Sequence, residues 1–103
     1  ITLGAQGVIS VIGNALPLEF SRMVRLALNG DYENARKIHH KFTELFKLLF
    51  VDGNPAGVKA MLNTMGMIEN CLRLPLVPTK LSTMERIHAI VKELHIKCRI
   101  DQV

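Results

Sequence analysis

Few side chains in this sequence have both the chemistry and the spacing to act together. His39 and His40 have the type of a metal pair. Neighbours on a helix point about 100° apart, so their rings do not share one ion and read as solvated polar residues. His88 and His95 are seven apart and align on a helix, with Cys98 three residues on. No turn places a further ligand beside them, so no metal is expected. Ser10 lies outside any Gly-x-Ser-x-Gly context and is not read as a nucleophile. Lys59 is the one basic residue on a helix whose other inner positions are apolar. That placement suits an amine of shifted pKa, but such a lysine more often snorkels outward or pairs with an acid. Gly4-Ala5-Gln6-Gly7 is too short of context for a dinucleotide fingerprint, which needs a strand before it and a helix directly after. No complete catalytic constellation and no cofactor motif is present.

The elements that would position these residues begin with Val8-Ile9-Ser10-Val11-Ile12, between Gly7 and Gly13-Asn14. A run apolar at nearly every position reads as a strand buried on both faces, as in parallel α/β sheets. Everything after it is helical in pattern, and a lone strand does not satisfy its own backbone. The chain therefore reads as the C-terminal piece of a larger α/β enzyme, with residues upstream of Ile1 expected. Its 103 residues fall short of the roughly 250 of a complete eight-stranded α/β barrel. A hydrophobic fraction of 49% and a mean hydropathy of +0.22 suit a segment that packs against other parts of a protein.

Asn14 is expected to cap a helix over about 15–29, with Pro17 in its first turn and Gly30 as its stop. Phe20, Met23, Val24 and Ala27 form its apolar stripe. Asp31 opens a second helix to about Phe50, with Ala35, Ile38, Phe42, Leu45 and Leu49 as core positions. Phe46, Leu48 and Phe50 widen that face, so its end is expected to be buried on more than one side. Asn54-Pro55 predicts a helix start, Asn as cap and Pro at the first position, with Val58, Met61, Leu62 and Met65 inward and Gly66 as the stop. Residues 71–78 should be extended across a surface, because residues before proline avoid the helical region. Ser82 and Glu85 read as a capping box opening a helix to about Ile96 that buries Met84, Ile87, Val91 and Leu94. Lys97 to Val103 shows no pattern.

The formal charge of +4 comes from 13 Lys and Arg interleaved with nine acids. Nucleic-acid binders concentrate such charge on one face with aromatics to stack bases, so no nucleic-acid partner is expected. No stretch approaches a membrane span or a signal peptide. Cys71 and Cys98 are too few for a disulfide framework, which favours free thiols in the cytoplasm.

Three motifs in order carry a resemblance over roughly residues 3–95: Gly4-Ala5-Gln6-Gly7-Val8-Ile9-Ser10-Val11 with Asn14 behind it, Asn54-Pro55 with Val58-Lys59, and Arg73-Leu74-Pro75-Leu76 with Pro78. Gly30-Asp31 with Ala35-Arg36 sits between the first two. Together they resemble the C-terminal third of the dihydrodipicolinate synthase family, within the superfamily that also holds the N-acetylneuraminate lyases. The resemblance implies a mainly α segment of a (β/α)₈ TIM barrel. Residues 1–30 would be its last βα unit (eighth strand and eighth helix), and residues 31–103 an appended C-terminal helical domain. It implies a lyase that condenses pyruvate with aspartate semialdehyde through a lysine Schiff base in diaminopimelate and lysine biosynthesis. No cofactor or metal is implied, and the parent is expected to be a cytoplasmic homo-oligomer, dimer or tetramer.

The Schiff-base lysine and its proton relay would lie upstream, so no catalytic residue is expected here and the isolated chain is expected to be inactive. Lys59 belongs to the Asn-Pro motif and is not that lysine. The resemblance gives Ile9 a substrate-site role, its backbone carbonyl beside the Schiff base. Val11 would face the barrel lumen, where a sialic-acid lyase would be expected to carry a hydroxyl residue. Another pyruvate-dependent aldolase of the superfamily and a free-standing helical interaction domain are the alternatives.

Overall fold

A computed structural model describes residues 1–98. The elements run in order as a 3₁₀ turn at Ile12–Asn14, then α1 (Pro17–Leu28), α2 (Tyr32–Val51), α3 (Ala56–Thr64) and α4 (Leu81–Glu93). Two compact units divide the chain, Ile1–Glu44 and Leu45–Val103. Arg99–Val103, part of the patternless tail, lies outside the described residues.

In the first unit the expected strand over Val8–Ile12 is absent. Residues 5–10 have no regular secondary structure, and no strand occurs among the described residues. Strand geometry depends on a neighbour to take its N–H and C=O groups, and among the described residues no second segment pairs with this one. Val11 already has helical angles (φ −73, ψ −51) and opens the 3₁₀ turn, so the period-two alternation stops there. Asn14 does not cap α1. Its side-chain amide donates instead to the Val11 carbonyl at 3.0 Å and to the Ser10 carbonyl at 3.4 Å, while Leu16 takes the cap position and Pro17 the first helical one. Leu28 ends α1 as expected. The Asp31 N–H reaches back to the Leu26 carbonyl at 2.9 Å around Gly30 in left-handed conformation at φ 81, the geometry glycine adopts most easily.

Asp31 caps α2 as the sequence predicts. Its carboxylate accepts the Asn34 N–H at 3.3 Å and the Asn34 side-chain amide at 2.8 Å, which holds its pKa below the usual carboxylate value. Ala35 and Phe42 are buried in the first unit, Leu45 and Leu49 in the second. The far end of α2 departs from expectation. Phe46 and Leu48 are half-buried, but Phe50 and Val51 are exposed.

The second unit holds a core of Leu45, Leu49, Met61 and Ile87, all fully buried. Val58 and Met65 face inward on α3 as expected, and Gly66 (φ 75) stops it. Ala60, Gly57 and Ile90 are buried as well. Gly57 has a specific reason to lack a side chain, because a Cβ there would overlap the Leu49 backbone carbonyl. The capping box at Ser82 and Glu85 does not form. Leu81 starts α4, Lys80 is its cap residue, and no side chain of its own caps it. Asp52, just past α2, does so from a distance, its carboxylate accepting the Lys80 N–H at 3.0 Å. The Thr83 hydroxyl, then the Lys80 N–H, hold the Asp52 carboxyl below its usual value of 3.8.

Two measurements check this packing. In an open helix Gly→Ala is neutral or stabilising, but Gly57→Ala should destabilise by about 2 kcal/mol or more in urea unfolding, because the added methyl meets backbone that cannot move aside. Asp52→Ala should lower the melting temperature at neutral pH. Because the folded pKa lies below the ordinary one, the carboxylate's contribution is complete above pH 3.8 and fades as pH falls through the lowered value. Melting followed by circular dichroism should therefore show the difference between the two proteins shrinking in that acid range.

Candidate functional site

The residues expected to reach a substrate lie on the N-terminal segment. Ile9 is fully exposed, and Val8 is more than half exposed. After them the backbone tightens into a small closed unit. Ser10 Oγ accepts the Gly13 N–H at 3.0 Å, the Asn14 amide takes the Val11 carbonyl, and Ile12 is buried beneath. A Cβ at Gly13 would stand 3.3 Å from the Ser10 Cβ and 4.0 Å from the Phe20 ring, so a side chain there would crowd Ser10 while only touching the ring. Ser10 thus has a structural partner, in keeping with its lacking a nucleophile's surroundings. Val11 is half-buried at the start of the turn. Neither Ile9 nor Val11 carries a titratable group, so what the segment offers chemically is backbone hydrogen bonding and shape.

Lys59 is half-buried. Its ammonium donates to the Cys71 carbonyl at 3.0 Å, so of the placements the sequence allows it turns outward, and its partner is main chain rather than an acid. The contact ties α3 to the segment leading to α4, as does the Asn63 amide on the Ile68 carbonyl at 3.0 Å. That segment has no regular secondary structure on either side of a turn at Leu74-Pro75, where the Leu76 N–H bonds the Arg73 carbonyl at 3.1 Å. Leu74, Leu76 and Val77 are exposed, and Cys71 is an exposed free thiol.

His39 and His40 meet edge to face, ring centroids 5.7 Å apart, on the exposed side of α2. His88, His95 and Cys98 line one cleft. Among the described residues no group of three His, Cys, Asp or Glu is arranged to hold a metal ion. The Cys98 thiol donates to the Ile96 carbonyl at 3.5 Å. No helix of the described residues is long and apolar enough to cross a membrane.

The Asn54-Pro55 motif corrects the sequence reading. Pro55 itself is the cap residue of α3, and no side chain caps the helix start. The Gly53 carbonyl receives the Gly57 N–H at 3.2 Å, taking a first-turn donor that the Asn54 side chain was expected to take. Sequence reasoning also missed Asp52 and Gly57. Gly57 had a usable signal, a glycine just inside a helix of otherwise good helix formers. Asp52 had none, since its partners lie about thirty residues further along the chain.

The model of the Dihydrodipicolinate synthetase family matches residues 1–94. The chain belongs to that family. A 4-hydroxy-tetrahydrodipicolinate synthase of Phocaeicola vulgatus is 76% identical over 98 residues, 95% of this chain and 33% of that protein. The crystal structure of dihydrodipicolinate synthase from Thermotoga maritima matches with a TM-score of 0.87 at 44% identity, covering 91% of this chain and 32% of that one. A chloride-inhibited dihydrodipicolinate synthase from Acinetobacter baumannii, complexed with pyruvate, matches with a TM-score of 0.86 at 35% identity, covering 91% and 32%. The chain thus spans about a third of the length of these synthases.

Within this family's pattern, Asn54 stands as an exposed residue without a capping bond. Asn54→Ala should accordingly change the unfolding free energy by less than about 0.5 kcal/mol in urea titration.

Proposed function

We propose that this chain is the C-terminal third of a synthase that condenses pyruvate with aspartate semialdehyde through a lysine Schiff base, in diaminopimelate and lysine biosynthesis. The match to the family over residues 1–94 carries this reading, and the pyruvate complex of the Acinetobacter relative supports the first substrate. In this reading residues 1–30 are the last βα unit of a (β/α)₈ barrel and residues 31–103 the appended helical domain. Val8–Ile12 becomes a strand once the neighbouring strands of the parent take its backbone groups. Barrel enzymes work at the C-terminal ends of their strands. The Ile9 carbonyl would there stand beside the Schiff-base lysine, and Val11 would line the lumen with an apolar surface that suits a small keto acid better than a polyhydroxylated sugar. The parent is a cytoplasmic homo-oligomer that uses no cofactor.

The chain's own contribution is a wall of the site rather than its chemistry, so alone it is inactive. Trapping with pyruvate and sodium borohydride tests this. Borohydride reduces the imine formed between pyruvate and a lysine amine, fixing the adduct as a secondary amine that mass spectrometry locates. The full-length protein should gain one adduct on a lysine outside this sequence, and the 103-residue chain should gain none. An adduct on Lys59, or turnover by the isolated chain, would overturn the reading. Cleavage of N-acetylneuraminate by the full-length protein in preference to condensation would move it to the lyase branch.

A further inference from the structure

Three helices of this chain end in the same backbone device. After α1 the Asp31 N–H bonds the Leu26 carbonyl at 2.9 Å, after α3 the Met67 N–H bonds the Leu62 carbonyl at 3.0 Å, and after α4 the Ile96 N–H bonds the Val91 carbonyl at 3.0 Å. In each the residue before the donor is left-handed. Gly30 (φ 81) and Gly66 (φ 75) fill the first two positions, and His95 (φ 52) fills the third. His95 is the one non-glycine residue with positive φ among the described residues. A side chain there costs conformational energy that glycine avoids, and non-glycine residues held in this region are often functional.

His95 lines an open cleft of about 730 Å³ together with His88, Lys92 and Lys97. The volume is in the range of small-molecule sites. Apolar groups, among them Val91 and Ile96, supply the larger part of its wall. Among the described residues no carboxylate lines it. Glu93, on the same helix, is engaged by Arg86 at 3.7 Å. The last carbonyls of α4, whose negative end would repel an anion, are partly occupied by the His95 and Ile96 N–H groups, on Lys92 and Val91 respectively. A basic residue near a helix C-terminus is stabilising in its own right, which accounts for Lys92. It does not account for a histidine standing where the other two helices have glycine.

We propose that this cleft is a binding site for a small organic dianion with an apolar body, the two lysines taking the charge, the two histidine rings supplying hydrogen bonds and the Val91 and Ile96 wall taking the carbon. Its test reads binding rather than turnover. Phenyl phosphate titrated into the full-length protein, followed by calorimetry and by the histidine ring signals in NMR, is the probe. Inorganic phosphate and phenol serve as the arms that lack the body and the charge. The expected result is saturable binding that shifts His88 and His95, about fivefold or more tighter than inorganic phosphate and undetectable for phenol. Lys92→Gln should weaken it about threefold or more. His95→Gly is the discriminating variant, because it should raise the melting temperature by about 2 °C by relieving the backbone and yet weaken phenyl phosphate binding. No saturable binding, equal affinity for inorganic phosphate, or unchanged affinity in either variant would overturn the proposal.

Discussion

A carboxylate at the end of one helix holds the beginning of another. Residues 65–80 carry no regular secondary structure, so the chain between α3 and α4 does not by itself aim α4. The first N–H groups of any helix need acceptors, and α4 brings none. Asp52 anchors the start from outside, accepting the N–H of the cap residue Lys80 and the Thr83 hydroxyl, and with Thr83 buried the point of attachment is fixed next to the core. Once anchored there, α4 brings Ile87, Ile90 and Val91 inward by its own periodicity.

The companion constraint is steric. Gly57 lets α3 come against the Leu49 backbone, and the buried run Ala56, Gly57, Val58, Ala60 and Met61 is what a short helix needs to lie that close. Small residues do here what larger apolar ones do on α2, because the limiting dimension is backbone to backbone. Lys59 and Asn63 work from the other side of α3, each giving hydrogen bonds to carbonyls of the segment that follows. The unit thus joins α2, α3 and α4 by polar contacts at their ends and apolar ones between.

What the sequence disclosed tracks how local each cause is. The four helices were legible because their stripes and glycine stops are written within a few residues, and Asp31 was legible as a cap for the same reason. Caps fared worse where a competing acceptor or an earlier helix start intervened. Asn14 was drawn to the Val11 carbonyl, a first-turn donor expected for Asn54 went to the Gly53 carbonyl, and the Ser82 box did not form because α4 begins one residue earlier, at Leu81, which leaves Ser82 inside its first turn. The Val8–Ile12 strand failed for a different reason. Its composition expresses a burial that depends on neighbours, and composition cannot supply them. The family was legible from three short motifs in order, although the roles of Ile9 and Val11 rest on that likeness and not on any chemistry of their side chains.

The N-terminal segment has one more property. The first charged side chain in the sequence is Glu19, so Gly7 to Ile12 has no charged residue within or beside it, no proline within it and four β-branched residues in its last five. With Val8 and Ile9 uncovered, it is the kind of window that stacks with copies of itself into cross-β assemblies. Colloidal behaviour is therefore a sensitive report of whether this segment is covered, visible before any helix has melted.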